Sequence, residues 1–118
     1  MTMPALHDND RVLIIDRKLF KDDNTRLFLG VVEEYDEATI RVRGVPFHLS
    51  PYEISGAERH GDERVRIVSL SAGDLIYLLP RELDLAKVQL RRSPKSLMLT
   101  DGEAMSLDLS EWLPRAYG

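Results

Sequence analysis

A chain of 118 residues without cysteine is long enough for one domain that buries about 65% of its unfolded surface, and it excludes a disulfide framework or a thiolate metal site. Sixteen Lys and Arg against 20 Asp and Glu give a net charge of −4, spread evenly with no basic tail or block, which disfavours duplex DNA as a partner. The start MTMPALHDND is too polar for a secretory signal and no apolar run approaches ~18 residues, so a soluble cytoplasmic protein with no membrane span is expected.

Residues 1–10 read as a loose arm. Arg11–Phe20 (RVLIIDRKLF) reads as a first strand whose Val12-Leu13-Ile14-Ile15 run is apolar on both faces and so expected to be covered on both sides. Lys21-Asp22-Asp23-Asn24 is a turn, because Asp and Asn bond their own main chain and tolerate left-handed backbone. Leu27–Arg43 (LFLGVVEEYDEATIRVR) then gives two strands, 26–35 and 38–43, around an acidic reversal at Glu33–Glu37. In the second, Ile40 and Val42 face one way and Thr39, Arg41 and Arg43 the other. Gly30 lies inside a strand, where the missing side chain costs stability unless the sheet bends sharply there or another backbone comes close.

Gly44-Val45-Pro46 and Ser50-Pro51 break the pattern, Phe47-His48-Leu49 between them reads as a brief continuation of the sheet, and Ser55–Asp62 is a loop. Glu63–Leu70 alternates as a strand, Ser71-Ala72-Gly73-Asp74 turns the chain, and Leu75–Leu79 (LIYLL) is apolar without alternation, as in a strand covered on both faces. Beyond Pro80, Ala86–Arg91 reads as a strand, and Leu97–Thr100 and Ala104–Leu109 flank Asp101-Gly102, a hairpin signal. The expected class is all-β, with residues 1–80 as one small barrel and 81–118 as a β extension packed on or beside it.

Five strands over the first 80 residues resemble the SH3-like open barrel of the Sm/LSm superfamily. The first Sm motif has a glycine in a strand and, six residues later, an Asp preceded by an aromatic, matched here by Gly30, Tyr35 and Asp36. LSAGDLIYLLP is similar to the strand–turn–strand of the second motif, with Ile76, Tyr77, Leu78 and Pro80 at its end. The resemblance implies a homo-oligomer built by pairing the edges of the fourth and fifth strands, with Val68, Leu70 and Tyr77 as interface candidates, and it implies single-stranded RNA as a ligand. Ile40 stands where the family carries Asn, and Ser71-Ala72 where it carries Arg-Gly. The implied RNA pocket is therefore a divergent one, with Asp36, Arg41, Arg43, Ser71 and Gly73 as its candidates.

Each candidate has a plainer structural reading. An Asp in a tight reversal closes its own turn, and Arg41 and Arg43 on one strand face are matched in sign by Glu33 and Glu34. Arg64 and Arg66 form a second pair of the same spacing, able to meet phosphates or to sit solvated. Arg91, Arg92 and Lys95 lack interleaved aromatics and read as a surface loop. His7, His48 and His60 have no metal-ligand spacing, and Ser50, Ser69, Ser71 and Ser93 lack a nucleophile's surroundings, so neither a metal, a cofactor nor an enzymatic activity is expected. Trp112 is a core plug or an interface anchor. The functional expectation is a non-catalytic, self-associating small barrel, with single-stranded RNA binding or a protein-adaptor role through Trp112 and the tail as alternatives.

Overall fold

The computed structural model describes residues 7–17, 25–49, 62–71, 73–93, 95–103 and 105–112. Five strands, β1 Arg11–Ile15, β2 Thr25–Tyr35, β3 Thr39–Leu49, β4 Arg64–Ser69 and β5 Leu75–Leu79, form one antiparallel sheet in the order β4-β3-β2-β1-β5. A second antiparallel sheet holds β6 Gln89–Arg92, β7 Leu97–Thr100 and β8 Ser106–Asp108, with 3-10 turns at Leu85–Lys87 and Ser110–Trp112. The fold is all-β, as expected.

Strand alternation splits the apolar residues of the large sheet into two clusters. Val12 and Ile14, Phe28 and Val32, Ile40 and Val42, and Val68 are buried together on the inner face with Ile76 packed against them. Leu13 and Ile15, Leu27 and Leu29, Phe47 and Leu79 point to the outer face, where they pack with Leu83, Val88, Leu90, Leu97, Leu99 and Leu109 from the C-terminal part. The small sheet therefore covers much of the outer face. The Val12–Ile15 run is apolar on both sides because both sides of β1 are buried.

The large sheet is strongly curled, and the chain's reach proves it. Ser69 lies opposite Thr39 and Leu75 lies opposite Ile15. The six Cα–Cα steps from one to the other span at most ~21 Å. In a flat sheet the two outer strands alone would lie ~19 Å apart, and the two positions would also be displaced by ~26 Å along the strands. Only a sheet that bends back on itself lets this connection close. Leu70 N–H meets the Ala38 carbonyl at 2.7 Å at one end of it, and Arg17 N–H meets Asp74 Oδ1 at 2.8 Å at the other.

The bend is carried where β2 crosses β3. Gly30 and Gly44 are register partners, and a Cβ on Gly44 would sit 2.6 Å from the Gly30 Cα, while one on Gly30 would sit 2.7 Å from Val42 Cγ1. Two backbones meet there without side chains between them, which accounts for the strand-interior glycine. A β-bulge between Val32 and Glu34 adds local twist.

Several expectations need correction. β3 does not end at Arg43 but runs through Gly44, Val45 and Pro46 to Leu49. β4 pairs only as far as Gly44, so Pro46 lies where β3 has β2 as its sole described neighbour, and proline is tolerated on such an edge. β5 is not covered on both faces. It is an outer strand, with Leu75 39% and Leu78 59% exposed. The strand expected at Ala86–Arg91 is a 3-10 turn followed by Gln89–Arg92. Asp101-Gly102 does not make a two-residue turn. Asp101 Oδ1 instead accepts from Glu103 N–H at 2.9 Å and Met105 N–H at 3.1 Å, holding a longer loop before Ser106. The first strand, expected to Phe20, ends at Ile15, and the turn at 21–24 lies outside the described residues.

Candidate functional site

The same parity that buries Phe28 and Val42 places charged residues at one end of the inner face. Asp16 follows Ile14 by two residues, Arg26 precedes Phe28 by two, and His48 lies beside Arg26 across the β2–β3 ladder. On β4, Arg64 and Arg66 pair with Gly44 and Val42, so both point to the inner side as Val68 does. These five groups, with Leu27, Pro46 and Phe47, line a groove of about 370 Å³.

One of the arginines is already committed. Arg66 Nη2 lies 2.8 Å from Asp16 Oδ1, and its guanidinium stands 5.8 Å from the centroid of the buried Phe28 ring. Among the described residues, Arg26 and Arg64 meet no carboxylate, although both line the same groove. Three guanidiniums against one carboxylate make the groove locally positive in a chain of net charge −4.

The residues singled out for RNA lie elsewhere and are engaged internally. Asp36 Oδ1 accepts from Ala38 N–H and Thr39 N–H, each at 2.8 Å, and from the Thr39 hydroxyl at 3.2 Å. Those N–H bonds, Ala38 first, hold the Asp36 carboxyl below the ordinary Asp range. Arg41 is 3.4 Å from Glu34, and Arg43 bonds Glu33 at 2.9 Å and reaches Glu63 at 3.5 Å. The hydrogen bond and charge of Glu33 raise the Arg43 guanidinium further above its usual value. Both arginines lie on the outer face of β3. Ser71 shares a 3.1 Å hydroxyl contact with Ser69, and Gly73 (φ 89°) backs onto the Arg17 side chain. The Asp36 and Leu70–Ser71 turns are brought together by the Ala38–Leu70 bond, whereas Arg41, Arg43 and Gly73 do not join them.

Of the interface candidates, Val68 is only 3% exposed, inside the inner cluster. Leu70 is exposed, Tyr77 packs against the outer cluster, and Trp112 closes the last 3-10 turn. The outer strands, each with an edge that no described strand pairs, carry other apolar groups: Val65 and the 68% exposed Ile67 on β4, Leu75 and Leu78 on β5. The sequence pattern marks Arg64 and Arg66 as a pair able to meet phosphates but does not single out Asp16, Arg26 or His48 for this groove. The signal for Arg26 was its two-residue offset from Phe28. Its use required knowing which face curls inward.

Among the described residues, no three His, Asp or Glu side chains stand close enough to hold a metal ion, and no helix is long and apolar enough to cross a membrane. Compared with protein-family models, with curated proteins and with solved structures, the chain finds no match in any of the three.

Proposed function

We propose that this chain is a non-catalytic small barrel of the Sm/SH3-like kind that assembles with further copies of itself, β4 of one copy pairing with β5 of the next. The carrying observation is the pair of outer strands at the two ends of one sheet, each with an edge that no described strand pairs and each bearing exposed aliphatic side chains. An open edge of this kind is a template for another strand and is ordinarily blunted by charge, proline or cover. Continuing the sheet from β4 into a second copy's β5 would set Val65 and Ile67 beside Leu75 and Tyr77 on the outer face, and Val68 beside Ile76 and Leu78 on the inner face. Two different edges make a head-to-tail contact, which closes into a ring when the rotation permits. The sheet order with β5 beside β1, the bend at Gly30 and the curled meander support the kinship. RNA binding through Asp36, Arg41 and Arg43 would require displacing the partners these groups already have.

Light scattering on the full chain tests the assembly. The expected mass at micromolar concentration is a multiple of 13.5 kDa greater than one. Ile67→Lys and Leu78→Lys, both at exposed positions, should each shift the mass toward the monomer while leaving the unfolding midpoint little changed. A wild-type monomer sinks the reading.

A further inference from the structure

We propose that the groove between β2, β3 and β4 binds the phosphate group of a small phosphate monoester, with Arg26 and Arg64 as its principal contacts. The charge arrangement is the first argument. Arg66 is held by Asp16 at 2.8 Å and rests on Phe28, so it is fixed in place with its charge offset. Arg26 and Arg64 come from different strands, line the same groove and meet no carboxylate among the described residues. Two guanidiniums that meet no carboxylate among the described residues line one concavity, and an anion there is attracted by both.

Geometry selects the kind of anion. A planar carboxylate is satisfied by the fork of a single arginine, whereas a tetrahedral phosphate presents oxygens in several directions and accepts from guanidiniums approaching along separate strands. The walls are the second argument. Pro46, on the inner face beside Phe28, gives the groove an apolar side, and about 370 Å³ is room for a compact organic body attached to the phosphate. The groove is formed within one copy, and its Arg64 and Arg66 stand on the inner face of β4, beside the edge proposed for self-association.

The test is an NMR titration of the full chain with phenyl phosphate, inorganic phosphate and benzoate. Phenyl phosphate should bind saturably, shifting the Arg26 and Arg64 side-chain Nε–H signals and the His48 backbone amide. Arg26→Gln and Arg64→Gln should each weaken it by about tenfold or more. Arg41→Gln, at an outer-face residue paired with Glu34, should leave it unchanged. Inorganic phosphate and benzoate should both bind several-fold more weakly than phenyl phosphate. The dispersed amide spectrum of each variant reports that its fold is kept, which exposed Arg26 and Arg64 lead one to expect. Absence of saturation, benzoate or inorganic phosphate binding as tightly as phenyl phosphate, or an equal loss in Arg41→Gln would each overturn the proposal. So would a preference for a short single-stranded RNA over phenyl phosphate that survives Arg26→Gln and Arg64→Gln.

Discussion

Asp36 gathers two main-chain N–H groups and a hydroxyl onto one carboxylate oxygen, which is how a reversal between two strands is closed by its own first residue. The carboxyl ionises below the ordinary Asp range because those N–H groups favour its charged form. A folded-state value below the unfolded one means that the contribution to stability is complete above the pH where an unfolded Asp ionises, about 3.9, and is lost as pH falls through the lower folded value. Asp36→Ala should therefore be less stable than the parent at neutral pH, with the difference shrinking as the solution becomes strongly acid. Urea midpoints of the two proteins across that range measure it. A gap that stays constant with pH, or an Asp36 carboxyl that titrates by NMR at the ordinary Asp value, contradicts the assignment. The exposed pairs of Arg41 and Arg43 with Glu34 and Glu33 contribute little by comparison, since solvent screens them.

At the scale of an element, β3 shows how far sequence patterning reaches. Gly44 and Pro46 are breakers by residue type, yet the strand continues through both, because Gly44 is where β2 and β3 come into backbone contact and Pro46 sits beyond the end of β4. Gly44→Ala would thrust a Cβ to 2.6 Å from the Gly30 Cα, and neither backbone can swing aside as a side-chain end would. The expected loss is about 3 kcal/mol, at the upper end for overpacking. Gly102→Ala, in a loop with φ 84° and open space around it, should lose only ~1 kcal/mol. Denaturant midpoints with unchanged m-values would establish the contrast, and equal losses would remove the crossing from the account. Local alternation made the strands and the bend at Gly30 legible. The two arginine pairs were not separable that way: Arg41 and Arg43 share their spacing with Arg64 and Arg66, and only the register, Val42 opposite Arg66, turns the second pair inward. The exposure of β5 was hidden for the same reason. An unbroken run such as LIYLL looks alike in the middle and at the edge of a sheet, and the strand order is not written in any one segment.

For the molecule as a whole, the question is whether the chain divides near residue 80, as the change from the five-strand pattern to the tail suggests. The outer cluster argues that it does not. Leu83, Val88, Leu90, Leu97, Leu99 and Leu109 are all buried against Leu13, Ile15, Leu27, Leu29 and Phe47. At about 1.5–3 kcal/mol per buried aliphatic side chain, these six contribute on the order of 10 kcal/mol, as much as the entire stability of a typical domain. Removing them would also bare the apolar stretch Leu13, Ile15, Leu27 and Leu29 on the outer side of β1 and β2. A chain truncated after Pro80 should therefore lose its cooperative thermal transition, bind a hydrophobic dye and aggregate, even though every strand of the large sheet is still present. The contrary result, a sharp transition and a dispersed amide spectrum from residues 1–80, would mean that the inner cluster around Phe28 and Val42 suffices by itself. The tail would then be an appendage to a self-sufficient five-stranded sheet, instead of the second half of its core.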